Sequence, residues 1–278
     1  MSERQATDAT ERFVGGGSLP LLDVRDVTMR YRQGRDATIT ALADLSLHVN
    51  AGEFVALVGP SGCGKSTLLS LVAGFETPSA GTIALNGDTT TTRLGRVGYM
   101  PQRDLLLPWR RALDNAIAGL QVKRVPRGEA RERARALFAE FGLAGFERSY
   151  PPALSGGMRQ RVSFARTVLA GGDLLLLDEP FGALDALTRA DLQRWLLAIW
   201  ERLHTTCLLV THDVDEALLL SDRFYALSPR PGHVRLERSV PLPRPRDAGM
   251  LARPEVAALK AEMLAALMER SLSEGAAR

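Results

Sequence analysis

Residues 53–66 read EFVALVGPSGCGKS. Apolar side chains dominate the first six positions, which is typical of a strand buried on both faces. Gly59 to Ser66 then match the pattern G-x-x-x-x-G-K-[ST], and leucines at helical spacing continue to Ala73. Strand, glycine-rich loop and helix form the context in which this pattern binds phosphate. The stretch therefore predicts a P-loop within an α/β fold.

Each residue type of the P-loop has a physical role beside a phosphate group. Glycines let successive backbone N–H groups turn inward, and the following helix presents the positive end of its dipole. Lys65 is expected to neutralise β- and γ-phosphate oxygens, and the Ser66 hydroxyl to bind Mg²⁺. The residues expected to hold the nucleotide here are Gly59, Pro60, Ser61, Gly62, Cys63, Gly64, Lys65, Ser66 and Thr67.

A second apolar run ends in two carboxylates. Residues 174–177 are four leucines, and Asp178 and Glu179 follow directly. A carboxylate at the end of a buried strand can reach a Mg²⁺ ion held by Ser66. Glu179, one residue further on, is placed to accept a proton from a water molecule that attacks the γ-phosphate. The two motifs together predict hydrolysis of a nucleoside triphosphate.

A third motif lies between these two. Ser155, Gly156 and Gly157 open a predicted helix, and a serine N-cap before two glycines leaves backbone N–H groups exposed to an anion. Combined with the other motifs, this one resembles the signature sequence of ATP-binding cassette (ABC) ATPases. In that family the signature of one subunit faces ATP on the P-loop of the other. The resemblance therefore implies a homodimer with ATP between its subunits.

Four further positions match the family pattern. The resemblance implies that Tyr31 stacks on adenine and that Gln102 contacts Mg²⁺ and the attacking water. His212 matches a histidine that reaches the γ-phosphate, and Asp185, at the end of residues 183–185, matches a loop that crosses the dimer interface. The implied catalytic residues are Glu179, His212 and Gln102, and the implied Mg²⁺ ligands are Ser66, Gln102 and Asp178.

The pattern along the chain predicts alternating strands and helices, and hence a mainly parallel sheet flanked by helices. Strands are expected at 21–31, 38–49, 53–58, 174–177 and 207–210, and helices at 66–73, 131–141, 155–169, 186–203 and 254–272. The resemblance implies a RecA-like P-loop NTPase core with an N-terminal antiparallel β subdomain and an inserted helical subdomain.

Four segments are expected along the chain. Residues 1–20 are polar and glycine-rich and are expected to form a flexible leader. An ATPase domain at 21–240 follows, with the helical subdomain at 103–155. A proline-rich break then introduces a helical tail at 241–278.

Composition fits a globular protein. The 278 residues are 45% hydrophobic and 24% charged, with a net charge of +3 that does not indicate nucleic acid, so no such partner is expected. Neither the spacing nor the number of the two cysteines, Cys63 and Cys207, suits a disulfide framework or a zinc site. We expect the Cys63 thiol, which lies in a cationic loop, to be more acidic than a free thiol.

Three segments resemble importer ATPases of the nitrate/sulfonate/taurine group: 106–110, 178–185 and 227–232. This likeness implies a transmembrane permease, a periplasmic or lipid-anchored solute-binding protein, and a peripheral position on the cytoplasmic face of the cell membrane. The apolar residues 105–109 lie where the family docks a permease helix, and the alternative is that they belong to the core of the helical subdomain.

Three other functions stay open at this point. An ABC ATPase of an exporter or lipoprotein-release system would share the same motifs. A non-transport ABC ATPase usually carries two cassettes or long insertions, which this sequence lacks. A P-loop kinase is disfavoured by Ser155 and by the carboxylate pair at Asp178 and Glu179.

Overall fold

The computed structural model describes residues 19–34, 37–182 and 184–268. The expected leader therefore lies almost entirely outside the described residues. The strands are β1 (Leu22–Gln33), β2 (Ala37–Val49), β3 (Phe54–Val58), β4 (Ala80–Leu85), β5 (Gly98–Met100), β6 (Leu174–Asp178), β7 (Thr206–Thr211), β8 (Arg223–Leu227) and β9 (Val234–Ser239). The helices are α1 (Lys65–Ala73), α2 (Ala112–Ala116), α3 (Ala118–Val122), α4 (Arg127–Glu140), α5 (Gly156–Ala170), α6 (Ala186–Leu203), α7 (Val214–Leu220) and α8 (Pro254–Met268).

Two sheets organise these elements. The first has the strand order β2-β1-β4, and all its pairs are antiparallel. The second has the order β5-β6-β7-β3-β8-β9, and its pairs are parallel except for β8 with β9. The predicted antiparallel β subdomain and the predicted mainly parallel core sheet are both confirmed.

The middle strands of the second sheet are covered on both faces. Every residue of β3, β6 and β7 is buried, as expected for apolar runs in a parallel sheet between helices. Since β3, β6 and β7 are parallel neighbours, their carboxyl ends meet at one edge of the sheet. The P-loop, the paired carboxylates and His212 all follow directly from these ends, so the sheet brings the predicted motifs together.

An aromatic cluster joins the helical segment after β5 to the core. The ring of Phe141, just beyond α4, lies 5.7 Å from that of Phe164 in α5 and 4.9 Å from that of Trp195 in α6. The Phe141 and Trp195 rings meet edge to face, a geometry that stabilises packing beyond simple burial. Helix α5 also packs against α2 and α3, so it belongs as much to the helical segment as to the core.

The chain after β9 returns to the core sheet. Val256 and Met263 of α8 are fully buried in a cluster with residues of α7 and β8. The buried guanidinium of Arg246 donates to the backbone oxygen of Ser221 at 2.5 Å, just after α7 ends. The Nζ atom of Lys260 pairs with Asp215 at 2.7 Å. The tail is therefore a packed layer over α7 and β8, and residues 269–272 of its predicted helix lie outside the described residues.

Several short elements were not predicted, among them β4, β5, β8, β9 and α7. Most of them span only three to seven residues, which is too short for a period of 2 or 3.6 to stand out. Along the described ranges, no helix combines the length and the apolar character needed to cross a bilayer.

Candidate functional site

The P-loop wraps around the start of α1. Gly62 and Gly64 have φ angles of 77° and 106°, in the left-handed region that glycine tolerates. A Cβ atom on Gly64 would also lie only 2.5 Å from the Cδ2 atom of Leu42. The side chain of Lys65 is buried, and its Nζ atom donates to the backbone oxygens of Gly59 at 2.7 Å and Pro60 at 3.1 Å. The lysine charge is therefore fixed at the loop.

Asp178, at the end of β6, lies beside the first turn of α1. Its Oδ1 atom accepts a hydrogen bond from the Ser66 hydroxyl at 3.3 Å, and its Oδ2 atom lies 3.5 Å from the Tyr99 hydroxyl. Burial raises the pKa of this carboxyl above its usual range, and the neighbouring Glu179 adds to the effect. A bound cation would favour the ionised form.

The predicted metal ligands Ser66, Asp178 and Gln102 fit Mg²⁺ in their chemical type. A hydroxyl, a carboxylate and the side-chain amide of Gln102 supply the hard oxygen atoms that this ion prefers. No group of three or more His, Cys, Asp or Glu side chains suited to a metal occurs in the described part of the chain. The softer ligand sets typical of zinc are therefore absent from these residues.

Glu179 contacts the other two predicted catalytic residues, Gln102 and His212. Its Oε2 atom accepts a hydrogen bond from Gln102 Nε2 at 3.2 Å and lies 3.1 Å from His212 Nδ1. Its backbone N–H donates to the Val210 oxygen at 2.9 Å, which ties it to β7. The φ angle of Glu179 is 44°, a left-handed value that costs a non-glycine residue about 1–3 kcal/mol. Strain of this kind is typical of functional sites.

A cavity of about 490 Å³ opens beside the P-loop. Tyr31 stands at its edge with 36% of its surface exposed, and its hydroxyl donates to Glu76 Oε2 at 2.7 Å. An exposed ring on a cavity wall is available to stack on a base. The lining residues are Tyr31, Ile39, Ala41, Ser61, Gly62, Gly64, Lys65, Ser66, Thr67, Gln102, Glu179 and Arg230.

Three lining residues were not predicted as site residues: Ile39, Ala41 and Arg230. Ile39 and Ala41 lie on β2, in the alternating strand pattern that served only to predict the strand. Arg230 lies in the segment 227–232, whose only predicted significance is its resemblance to an importer group. A cation flanked by two prolines, far along the chain from the P-loop, carries no local signal for this contact.

The signature residues lie outside this cavity. The Ser155 hydroxyl accepts a hydrogen bond from the Met158 N–H at 3.2 Å and caps α5. Asp185 caps α6 in the same way, accepting from the Thr188 N–H at 3.0 Å. Cβ atoms built on Gly156 and Gly157 would meet Leu184 and Thr188, so the starts of α5 and α6 form one surface. Ala183 of the predicted loop lies outside the described residues.

The prediction that the Cys63 thiol is more acidic than a free thiol is wrong, because its pKa is raised. Its side chain is buried under the P-loop with 1% of its surface exposed. Burial raises the pKa of the thiol, and this effect outweighs the lowering by Lys65. The prediction counted the positive charge of the loop but not the loss of water around the sulfur atom.

The comparisons with known proteins agree with this geometry. The model of the ABC transporter family matches residues 42–182. The formylaminopyrimidine import ATP-binding protein ThiZ of Halalkalibacterium halodurans is 42% identical over 91% of this chain and 98% of its own length. The aliphatic sulfonates import ATP-binding protein SsuB 2 of Burkholderia lata is 46% identical over 90% of this chain and 87% of its own. The taurine import ATP-binding protein TauB of Yersinia pestis is 47% identical over 70% of this chain and 76% of its own length.

Solved structures give the same assignment. The ATP-binding cassette MJ0796 in a dimeric post-hydrolysis state with ADP and Pi has a TM-score of 0.67 and 30% identity, covering 79% of this chain and 98% of its own. A second dimeric structure of that cassette has a TM-score of 0.68. Both of these solved structures are dimers.

The thiol of Cys63 should resist alkylation in the native protein, because it is both buried and less acidic than a free thiol. Cys207 is also buried, so it should be equally protected. We expect iodoacetamide to label both thiols only after unfolding in urea, as followed by mass spectrometry of the intact chain. Rapid labelling of Cys63 in the native protein would contradict this expectation.

Proposed function

This chain belongs to the ABC transporter family and is an ATPase of the import type, and we propose that it drives uptake of a small anionic solute through a membrane permease. The observation that carries the proposal is that the loop after β3 and the end of β6 bring Lys65, Asp178 and Glu179 to the same edge of the core sheet, where Lys65 and Glu179 line one cavity. A phosphate-binding loop, a metal-directed carboxylate and a proton acceptor together are what hydrolysis of ATP requires.

We assign nucleotide binding to the P-loop and Tyr31. Backbone N–H groups at the start of α1 and the Lys65 ammonium hold the phosphate chain, and the Tyr31 ring stacks on adenine. When Mg²⁺ is bound, it neutralises phosphate charge, and Ser66, Asp178 and Gln102 are the residues that would hold it. Lys65, Ser66 and Tyr31 line the same cavity, so a charge complementary to phosphate and an aromatic ring face one space.

Glu179 then acts on the attacking water. Its carboxylate removes one proton as the water oxygen bonds to the γ-phosphorus, and the bond from that phosphorus to the β–γ bridging oxygen breaks. The products are ADP and inorganic phosphate. Gln102 and His212 contact the Oε2 atom of Glu179, so they fix the carboxylate in position. We propose that His212 lies close enough to contact the γ-phosphate of bound ATP, so that this contact is lost when the phosphate leaves.

The second half of each ATP site comes from a second copy of the chain. Ser155 and Asp185 are exposed helix caps, and Leu187 beside them has 81% of its surface exposed. An anion facing the start of α5 would be stabilised by the helix dipole. In a symmetric dimer this surface would close over the partner's P-loop, so that each ATP lies between two chains.

The residues proposed to dock the permease divide between core and surface. Leu106 is buried in the helical segment, as the alternative prediction required, whereas Leu105 and Trp109 have 56% and 72% of their surface exposed. Arg166 of α5 donates to the Leu105 backbone oxygen at 2.8 Å, which holds the segment against the signature helix. Exposed apolar groups on a fixed segment suit a partner helix. Motion at the ATP site would therefore reach the permease through α5.

The names of the relatives support a proposal for the solute and for the location. Two of those compared are named for sulfonates or taurine, and both names describe compounds that carry a sulfonate group. We propose a solute of this class, delivered by a periplasmic or lipid-anchored binding protein. The chain itself would sit peripherally on the cytoplasmic face of the membrane. The import names of the relatives favour this function over an exporter or a non-transport ABC ATPase.

Replacing Glu179 by Gln should reduce ATP turnover by about 10²–10⁴-fold, because the amide cannot accept the proton. Binding of Mg-ATP should persist, and the dimer should accumulate in its closed state. Phosphate release and size-exclusion chromatography measure the two effects. Glu140→Gln, at an exposed carboxylate of α4, is the matched control. Turnover near the wild-type rate would remove Glu179 from this role.

Introducing Gly156→Glu should prevent ATP-dependent dimerisation but leave ATP binding by the monomer intact. The new carboxylate would repel the partner's triphosphate, while a glutamate in the first turn suits the helix dipole and spares folding. Gly128→Glu is the control, because a Cβ atom there meets nothing within 4 Å. Light scattering with Mg-ATP follows dimerisation, and a normal dimer in Gly156→Glu would contradict the proposed interface.

Replacing Trp109 by Ala should weaken association with the permease subunits about tenfold or more, as for a buried aromatic anchor at an interface. The fold should be unaffected, since the ring is largely exposed. Val122→Ala, which changes another exposed apolar side chain, serves as the control. Titration of detergent-solubilised permease with each variant gives the affinity, and equal affinities would place the docking surface elsewhere.

A further inference from the structure

The segment between β8 and β9 packs directly on the P-loop. The Gly232 N–H donates to the Ala41 oxygen at 2.9 Å, and the Ala43 N–H donates to the Gly232 oxygen at 3.0 Å. A Cβ atom on Gly232 would lie only 2.1 Å from the backbone oxygen of Cys63. Glycine is required at this position, because any side chain would separate the segment from the P-loop.

Hydrogen bonds of Ser228 with residues further along hold the same segment in a tight turn. The buried Ser228 hydroxyl lies 2.8 Å from the Pro229 oxygen and 2.9 Å from the Pro231 oxygen, and it accepts from the His233 N–H at 3.0 Å. Contacts on both sides of Arg230 therefore fix its backbone. A side chain carried by such a turn is held in place before any ligand arrives.

Arg230 projects from this turn to the rim of the nucleotide cavity. Its Nε atom donates to the Gly62 oxygen at 3.2 Å, and its Nη2 atom lies 3.3 Å from the place of a Cβ atom on Gly62. The residue is exposed and lines the same cavity as Lys65 and Tyr31. Within the described ranges, no carboxylate lies within ion-pair distance of its guanidinium.

We propose that Arg230 is a second phosphate-binding cation of the ATP site, acting beside Lys65. This inference rests on the proposed function, in which the cavity holds ATP. The triphosphate carries several negative charges, and Lys65 supplies only one positive charge from the P-loop. A guanidinium offers five N–H donors, so one contact to Gly62 leaves others for phosphate oxygens. Arg230 thus adds charge and also fixes the tip of the loop.

The two roles of Arg230 are separable by substitution. A merely structural contact to the Gly62 oxygen needs a donor but no charge, so Gln would replace Arg. A phosphate contact needs the charge, so Lys would replace Arg better than Gln. Affinity for Mg-ATP is measured by equilibrium dialysis on the full chain at low and high salt, with adenosine as a phosphate-free ligand.

We expect Arg230→Ala and Arg230→Gln to weaken Mg-ATP binding roughly tenfold, the size of a lost hydrogen bond to a charged group. Arg230→Lys should retain most of the affinity for Mg-ATP. High salt should reduce the difference in affinity between the wild type and the Ala and Gln variants. Adenosine binding should not change in any variant. The control is Arg238→Ala, at an exposed arginine of β9 that pairs with Glu262.

Wild-type affinity in Arg230→Ala, or full rescue by Gln, would overturn the role of Arg230 while leaving the ATPase assignment intact. Equal loss of adenosine binding would also overturn it, because the defect would then lie in the cavity as a whole. Failure of the wild-type chain to bind Mg-ATP would overturn the proposed function and this inference together.

Discussion

The parallel pairing of β6, β7 and β3 is the constraint on which the site depends. Asp178 pairs with Val210, and Val58 pairs with Thr211, so the three strands end side by side. Each strand is fully buried, and the register is therefore held by apolar packing on both faces. A one-residue slip of β6 would turn Asp178 away from Ser66. The chemistry of the site is thus set by hydrophobic burial several ångströms away from it.

The fold and most of the candidate site could be predicted from the sequence because their signals are local. The apolar run before Gly59 predicts a buried strand, and the helix predicted at 186–203 begins and ends at the observed residues. Ser155 was predicted as an N-cap from its own position before two glycines, and its hydroxyl does accept from Met158. Patterns of this kind need only the residues nearby.

The remaining features depend on contacts between distant parts of the chain. Arg230 reaches Gly62 across 168 positions, and Gly232 contacts the backbone at Cys63. The pKa of the Cys63 thiol depends on how deeply tertiary packing covers it, which the neighbouring sequence does not encode. The same holds for the tail, where Lys260 pairs with Asp215 of α7. Local charge can be read from sequence, but desolvation cannot.

The left-handed backbone at Glu179 places folding and chemistry in competition at one position. Glycine would adopt this φ angle without strain, yet it would lack the carboxylate held by Gln102 and His212. Selection for thermal robustness alone would favour losing the side chain, whereas selection for transport would retain it. The protein keeps a strained residue directly after β6, at the edge of its core sheet, and so gives up some stability for turnover.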